Sequence, residues 1–226
     1  MVYEGHPLKE HISKFLANYT EADRKAFLDS LELGTDDKIV ALLPGSRVQE
    51  VEKKLPVMAA AAAYYRKDYK FVVAGSSNVP DDVYKTVLGR YDFISVVKDK
   101  TFDLLANSYA AVVTSGTATL ETALFGVPEI VCYKAGSKIS YRIAKRVIKV
   151  KYISLVNLIN DELTVRELIQ DDCNEQVLSA EMNLLLNHSI YRQKIEEGYN
   201  KLHEQLGSGE IIRRIASQMV VFAKRK

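Results

Sequence analysis

The sequence predicts an α/β fold: a mostly parallel sheet of about six strands, helices on both faces and a C-terminal helical extension. Three observations carry this. From residue 38 onward, short runs rich in Val, Ile and Ala alternate with helical stretches at the spacing of βαβ units. Those runs are apolar throughout rather than alternating, the pattern of strands buried on both faces. After residue 160 the strand signals stop and helical periodicity takes over.

Taken in order, residues 1–37 read as the end of a strand, a turn and a helix, a linker expected of a piece of something longer. The strands follow as "KIVALLPG", "YKFVVAG", "DFISVVK", "AAVVTSG" and "PEIVCYK", with "KYISL" (151–155) as a short sixth. Between them lie five helical stretches, 48–67, 80–90, 101–108, 117–126 and 137–150, each opened by a glycine or polar corner. Residues 38–160 are therefore expected to form the sheet domain. Residues 161–226 are expected to supply four helices, "LTVRELIQ", "NEQVLSAEMNLLLN", "SIYRQKIEEGYNKLHEQL" and "GEIIRRIASQMVVFAKRK".

Composition narrows the class. The chain has 226 residues, 47% hydrophobic and 27% charged, with a net charge of +2. That is ordinary for a globular protein and gives no sign of nucleic-acid binding. Two cysteines, Cys132 and Cys173, without CxxC or Cys/His spacing, fit a reduced cytosolic protein without structural zinc. The first residues carry no signal-peptide pattern, and no apolar stretch reaches the ~18 residues of a spanning helix.

Two corners could carry chemistry. In an open parallel sheet, ligands sit beyond the carboxyl ends of the strands, where glycine admits close approach and helix N-termini offer unpaired N–H groups to an anion. Gly45-Ser46-Arg47 after "IVALLP" is one such corner, and Ser115-Gly116-Thr117 after "AAVVT" is the other. Arg47 adds a planar fork of donors suited to phosphate oxygens; it could equally pair with Glu50 or Glu52 on the following helix. Glu121, early in the helix after Gly116, could accept hydrogen bonds from both hydroxyls of a ribose, although the helix dipole favours an acid there anyway. Neither corner has GxGxxG or GxxxxGK[ST] spacing. No metal spacing involves the four histidines, there is no Asp-x-Asp pair, and no cofactor is expected.

From Lys134 to Lys151 the chain carries Lys138, Arg142, Lys145, Arg146 and Lys149 and no acid, flanking Ile139, Ile143, Val147 and Val150 at helical spacing. Such a helix either covers the sheet with its charges in water or lies on an anionic lipid surface.

In combination, "ALLPGSRVQEV", "VVTSGTATLETALFGVPEIVCYK", "VKYISLVNLI" and "RELIQ" resemble the C-terminal half of the lipid-A-disaccharide synthase family, and "EGHPL" is similar to the segment where that family's N-terminal domain hands over. The resemblance runs across essentially the whole chain. It implies a Rossmann-like sheet forming one half of a GT-B fold, in an inverting, metal-independent glycosyltransferase. That family joins UDP-2,3-diacylglucosamine to 2,3-diacylglucosamine 1-phosphate (lipid X). By motif, Arg47 with Gly45 and Ser46 would hold the diphosphate, and Ser115, Gly116 and Thr117 would present donors. Glu121 would take the ribose, Asn157 would reach the donor phosphates or sugar, and Glu167 and Gln170 would support. The general base is expected in an N-terminal acceptor domain. A cytoplasmic location, peripheral on the inner membrane, and a homodimer through the C-terminal helices are further expectations; Ile211, Ile212, Ile215 and Val220 would otherwise stand exposed. The chain departs from the family where many members have proline, at Val156 and Arg166, which changes local rigidity. The competing readings are another UDP-N-acetylglucosamine-using GT-B enzyme and a non-catalytic nucleotide-binding or lipid-surface module.

Overall fold

The computed structural model describes residues 5–134, 151–207, 209 and 211–223. The chain enters through two helices, α1 (Pro7–Asn18) and α2 (Glu21–Asp29). Pro7 suits the first helical position, where no N–H is needed, and His6 caps it by accepting the Leu8 N–H through Nδ1. Thr20 and Asp23 form a reciprocal capping box that starts α2. The strand end expected before this point is not present from residue 5 onward, and residues 1–4 lie outside the described part.

The sheet is built by β1 (Ile39–Leu43), β2 (Lys70–Gly75), β3 (Ile94–Lys98), β4 (Ser108–Thr114), β5 (Glu129–Tyr133) and β6 (Arg166–Ile169). All neighbours are parallel, in the order β3-β2-β1-β4-β5-β6. Between the strands run α3 (Val48–Ala62), α4 (Asp81–Leu88), α5 (Thr101–Ala106) and α6 (Thr117–Leu124). Every residue of β1 is buried because both its faces are covered. Val40 and Leu42 belong to one core with α3, α4 and the C-terminal helices; Ile39, Ala41 and Leu43 belong to a second with Phe27 and Leu28 of α2 and Leu104 and Leu105 of α5.

The sixth strand differs from the sequence expectation. "KYISL" is not a strand; it leads into a short helix, α7 (Leu155–Asn160), capped by the Ser154 hydroxyl. The strand is "RELI", which had read as helical, and it pairs with β5 from Ile130↔Arg166 to Tyr133↔Ile169. The reason lies in who takes the backbone groups. Glu167 accepts the N–H groups of Ile153 and Ser154, so that segment is bonded to a side chain instead of a strand. Leu168, fully buried, prefers the sheet edge to its weak helical pattern, an override of local propensity by packing.

Three further helices complete the chain: α8 (Glu175–Asn187), α9 (Ser189–Gln205) and α10 (Ile211–Ala223). Leu178, Met182 and Leu185 of α8 and Ile195, Tyr199 and Leu202 of α9 lie in the first core. Polar ties add direction: the Tyr69 hydroxyl donates to the Leu186 carbonyl at 3.1 Å, and the Arg192 guanidinium lies 3.9 Å over the Tyr109 ring. Helix α10 lies against α1, where Glu10 accepts the Ile212 N–H. Ile211 is buried there, correcting the expectation that it stands exposed, and Ile215 is half-buried; Ile212 and Val220 do face solvent.

The sheet topology positions a crevice. After β1 the chain builds outward to β2 and β3, then returns to lay β4 on the other flank of β1. The loops leaving the carboxyl ends of β1 and β4 therefore diverge at the switch point, where a crevice opens in this class of sheet.

Candidate functional site

Each of the two corners is shaped by a glycine that no other residue could replace without strain. Gly45 has φ +117°, and a Cβ there would lie 2.4 Å from Glu50 Oε2. Gly116 has φ +125°, and the space beyond its Cα is open. Both glycines stand just before helices. Helix α3 begins after Arg47 and α6 after Gly116, and neither N-cap residue makes a side-chain capping bond. The first N–H groups of both helices are thus left to an external acceptor, with the positive ends of two helix dipoles behind them.

The two corners form one site. A cleft of about 440 Å³ is lined by Gly45, Ser46 and Arg47 from the first corner and by Ser115, Gly116, Thr117 and Glu121 from the second. Residues 47 and 116 thus sit on the same crevice. Arg47 is exposed and makes no salt bridge among the described residues. Pairing with Glu50 is not realised: one Glu50 oxygen accepts the Ser46 N–H at 3.2 Å, and the other lies 3.6 Å from the ammonium of Lys54. Lys54 is buried and donates to the Thr114 hydroxyl at the end of β4.

Glu121 projects from α6 into the same cleft. Partial burial raises its pKa above the ordinary carboxylate value, and the nearby His11 of α1 opposes this. Two more corners reach the cleft that sequence reasoning did not single out: Gly75 and Ser76 at the carboxyl end of β2, and Asp99 and Thr101 after β3. Asp99 holds the left-handed conformation, φ +54°, and its carboxylate accepts the Ser77 N–H at 3.1 Å. Their signal was positional, since both lie at or just after the carboxyl end of a strand.

Asn157 is not part of this cleft. It is fully buried, and its side chain is consumed within the fold: Oδ1 accepts the N–H groups of Thr164 and Val165, while Nδ2 donates to the Val165 carbonyl and to Glu167. The expectation that it reaches a donor phosphate is therefore corrected; its four bonds anchor the turn that launches β6. Glu167 supports the same turn, through Ile153, Ser154 and Asn157. Gln170 follows β6 with φ +56°, and its amide nitrogen Nε2 is buried without a partner. Lys138, Arg142, Lys145, Arg146 and Lys149 lie outside the described residues. Among the described residues, no three His, Cys, Asp or Glu side chains gather to hold a metal ion, and no helix is long and apolar enough to cross a membrane.

The sequence matches the lipid-A-disaccharide synthetase family over residues 1–221. It is 32% identical to the lipid-A-disaccharide synthase of Geobacter sulfurreducens over 95% of this chain and 55% of that protein. It is 34% identical to the enzyme of that name from Syntrophus aciditrophicus over 99% of this chain and 58% of that protein. The chain thus spans little more than half the length of the curated relatives it matches. Among solved structures, UDP-GlcNAc 2-epimerase from Neisseria meningitidis bound to UDP-GlcNAc superposes with a TM-score of 0.66 at 14% identity, covering 96% of this chain and 54% of that one. A glycosyltransferase from Rickettsia africae gives 0.61 at 13%, covering 93% and 54%. At such identities these two establish a shared fold.

Proposed function

Because the chain belongs to the lipid-A-disaccharide synthetase family, we propose that it is the donor-binding half of an inverting glycosyltransferase that takes UDP-2,3-diacylglucosamine and 2,3-diacylglucosamine 1-phosphate as substrates. The observation that carries the reading is the convergence of Arg47 with two uncapped helix N-termini on one cleft. An anion with two phosphates has partners at both corners of such a cleft. The N–H groups opening α3 and α6 meet its oxygens from two sides, and the guanidinium adds a charged fork. Ser46, Ser115 and Thr117 bring hydroxyls to the same anion, and Glu121 takes the ribose hydroxyls.

The chemistry follows from charge. As the acceptor hydroxyl attacks the anomeric carbon from the face opposite the leaving group, the bond to UDP breaks and negative charge grows on the terminal phosphate. Donors already aimed at that position lower the barrier most, because they need no reorganisation. The group that removes the acceptor's proton is assigned to an acceptor-binding domain of the longer enzyme. This chain alone is accordingly expected to bind UDP without transferring sugar. The reading extends to a cytoplasmic enzyme working against the inner membrane, where acylated substrates reside, with the basic 138–149 segment proposed as its contact and α10, with Ile212, Met219 and Val220 exposed, as a site for a second copy.

Calorimetric titration with UDP, GDP and ADP tests the donor reading. Saturable binding with UDP preferred supports it; equal affinity for the three, or none for UDP, refutes it.

A further inference from the structure

The cleft has a charge problem if its ligand is a diphosphate. Among the described residues, Arg47 is the only cation lining it, against the carboxylates Glu50, Asp99 and Glu121. Glu50 is the most awkwardly placed, because it fills the space over Gly45 and binds the Ser46 N–H at the first corner. An unneutralised carboxylate there would repel the ligand that the helix N-termini attract.

Lys54 answers both parts of this problem from behind the wall. It lies one and a half turns into α3, 3% exposed, with its ammonium 3.6 Å from Glu50 and hydrogen-bonded to Thr114. Glu50 holds Ser46, in the first corner; Thr114 directly precedes Ser115, in the second. One buried side chain therefore links loops that are about 70 residues apart in sequence. Burial lowers the pKa of this ammonium, and the charge of Glu50 beside it opposes that shift.

We propose that Lys54 is a positioning residue for the diphosphate site, holding the two glycine corners at a fixed separation through Glu50 and Thr114 and cancelling the charge of the carboxylate nearest the anion. The inference rests on the donor-site reading for its ligand, but the link between the corners is independent of it. Lys54 does not touch the cleft. It acts through the two residues that do.

The test uses the full chain with Lys54→Met, which keeps the stem and removes the charge, and the double variant Lys54→Met/Glu50→Gln. Lys54→Met is expected to weaken UDP binding by at least about tenfold while uridine, which lacks phosphates, changes less than about twofold. Adding Glu50→Gln is expected to restore most of the UDP affinity, because the repelling charge is gone, a rescue that a merely structural role for Lys54 would not give. Amide exchange over residues 44–48 and 114–118 is expected to accelerate in Lys54→Met without any ligand. Equal losses for UDP and uridine, no rescue, or unchanged exchange at both corners would overturn the proposal. If the wild-type chain binds no UDP, the donor reading falls while the exchange comparison still decides the Lys54 link. Should Lys54→Met not fold, Thr114→Val cuts one arm of the link at constant volume, and unchanged exchange over 114–118 then overturns it.

Discussion

Replacing Arg47 with alanine isolates the guanidinium from everything else in the cleft. The side chain is exposed and has no salt-bridge partner among the described residues, so its loss should leave folding stability within about 0.5 kcal/mol. Ligand affinity is another matter. A charged hydrogen bond contributes about 1.5–3 kcal/mol, and the cleft is open enough to water that the full interior Coulomb value does not apply. Converted at about 1.4 kcal/mol per decade, UDP should bind roughly 10- to 150-fold more weakly to Arg47→Ala. Arg47→Lys keeps the charge but not the planar fork, and should fall between the two. Titration calorimetry with UDP and uridine side by side separates causes: uridine affinity should be unchanged, and the UDP deficit should shrink as salt is raised. An unchanged UDP affinity, or an equal loss for both ligands, would show that the guanidinium does not hold the diphosphate.

Other consequences can be measured on the same chain. Glu129 opens β5 fully buried, with both carboxylate oxygens unpartnered, and burial raises its pKa well above 4.5. Between that ordinary value and the raised one the folded chain keeps a proton that the unfolded chain releases, so stability falls as pH rises through this window. Glu129→Met should therefore stabilise by about 1–3 kcal/mol near neutral pH and by less at pH 4.5, read by urea unfolding at both. Glu121 also has a raised pKa, so UDP affinity should decline on acidification earlier than an ordinary carboxylate would allow; Glu121→Gln should bind more weakly at neutral pH and flatten that acid limb. Asn157→Ala strands the buried Val165 N–H and removes the amide's bonds to the Val165 carbonyl and Glu167, and should cost at least about 2 kcal/mol by denaturant unfolding, yet the folded fraction should retain wild-type UDP affinity. Lost affinity at unchanged stability would return Asn157 to the cleft.

Much of this was legible because parallel strands covered on both faces are written as unbroken apolar runs. "IVALL" and "FVVAG" could hardly be anything else, and the glycines after β1 and β4 announce close approach at their carboxyl ends. What could not be read was adjacency. That β4 returns to the flank of β1, bringing residues 47 and 116 to one cleft, is a property of the whole sheet. The same limit hid Lys54, which sits in "EVEKK" like any solvated helix cation until Thr114, 60 residues on, accepts its hydrogen bond. It also misdirected the reading of Asn157, whose motif identifies the residue but not the direction of its side chain. That direction depends on β6, and "RELI" became a strand only because β5 offered an edge.

The two walls of the crevice come from the two halves of the sheet, β1 to β3 and β4 to β6, which meet where β1 pairs with β4. A small molecule spanning them would act as a clasp across the seam between β1 and β4, gaining its grip only once both halves have docked. Saturating it at a hundred times its dissociation constant would deepen the global folding well by about 2.7 kcal/mol rather than merely quieting two loops. The melting curve of the entire sheet thereby becomes a sensor for occupancy at its centre.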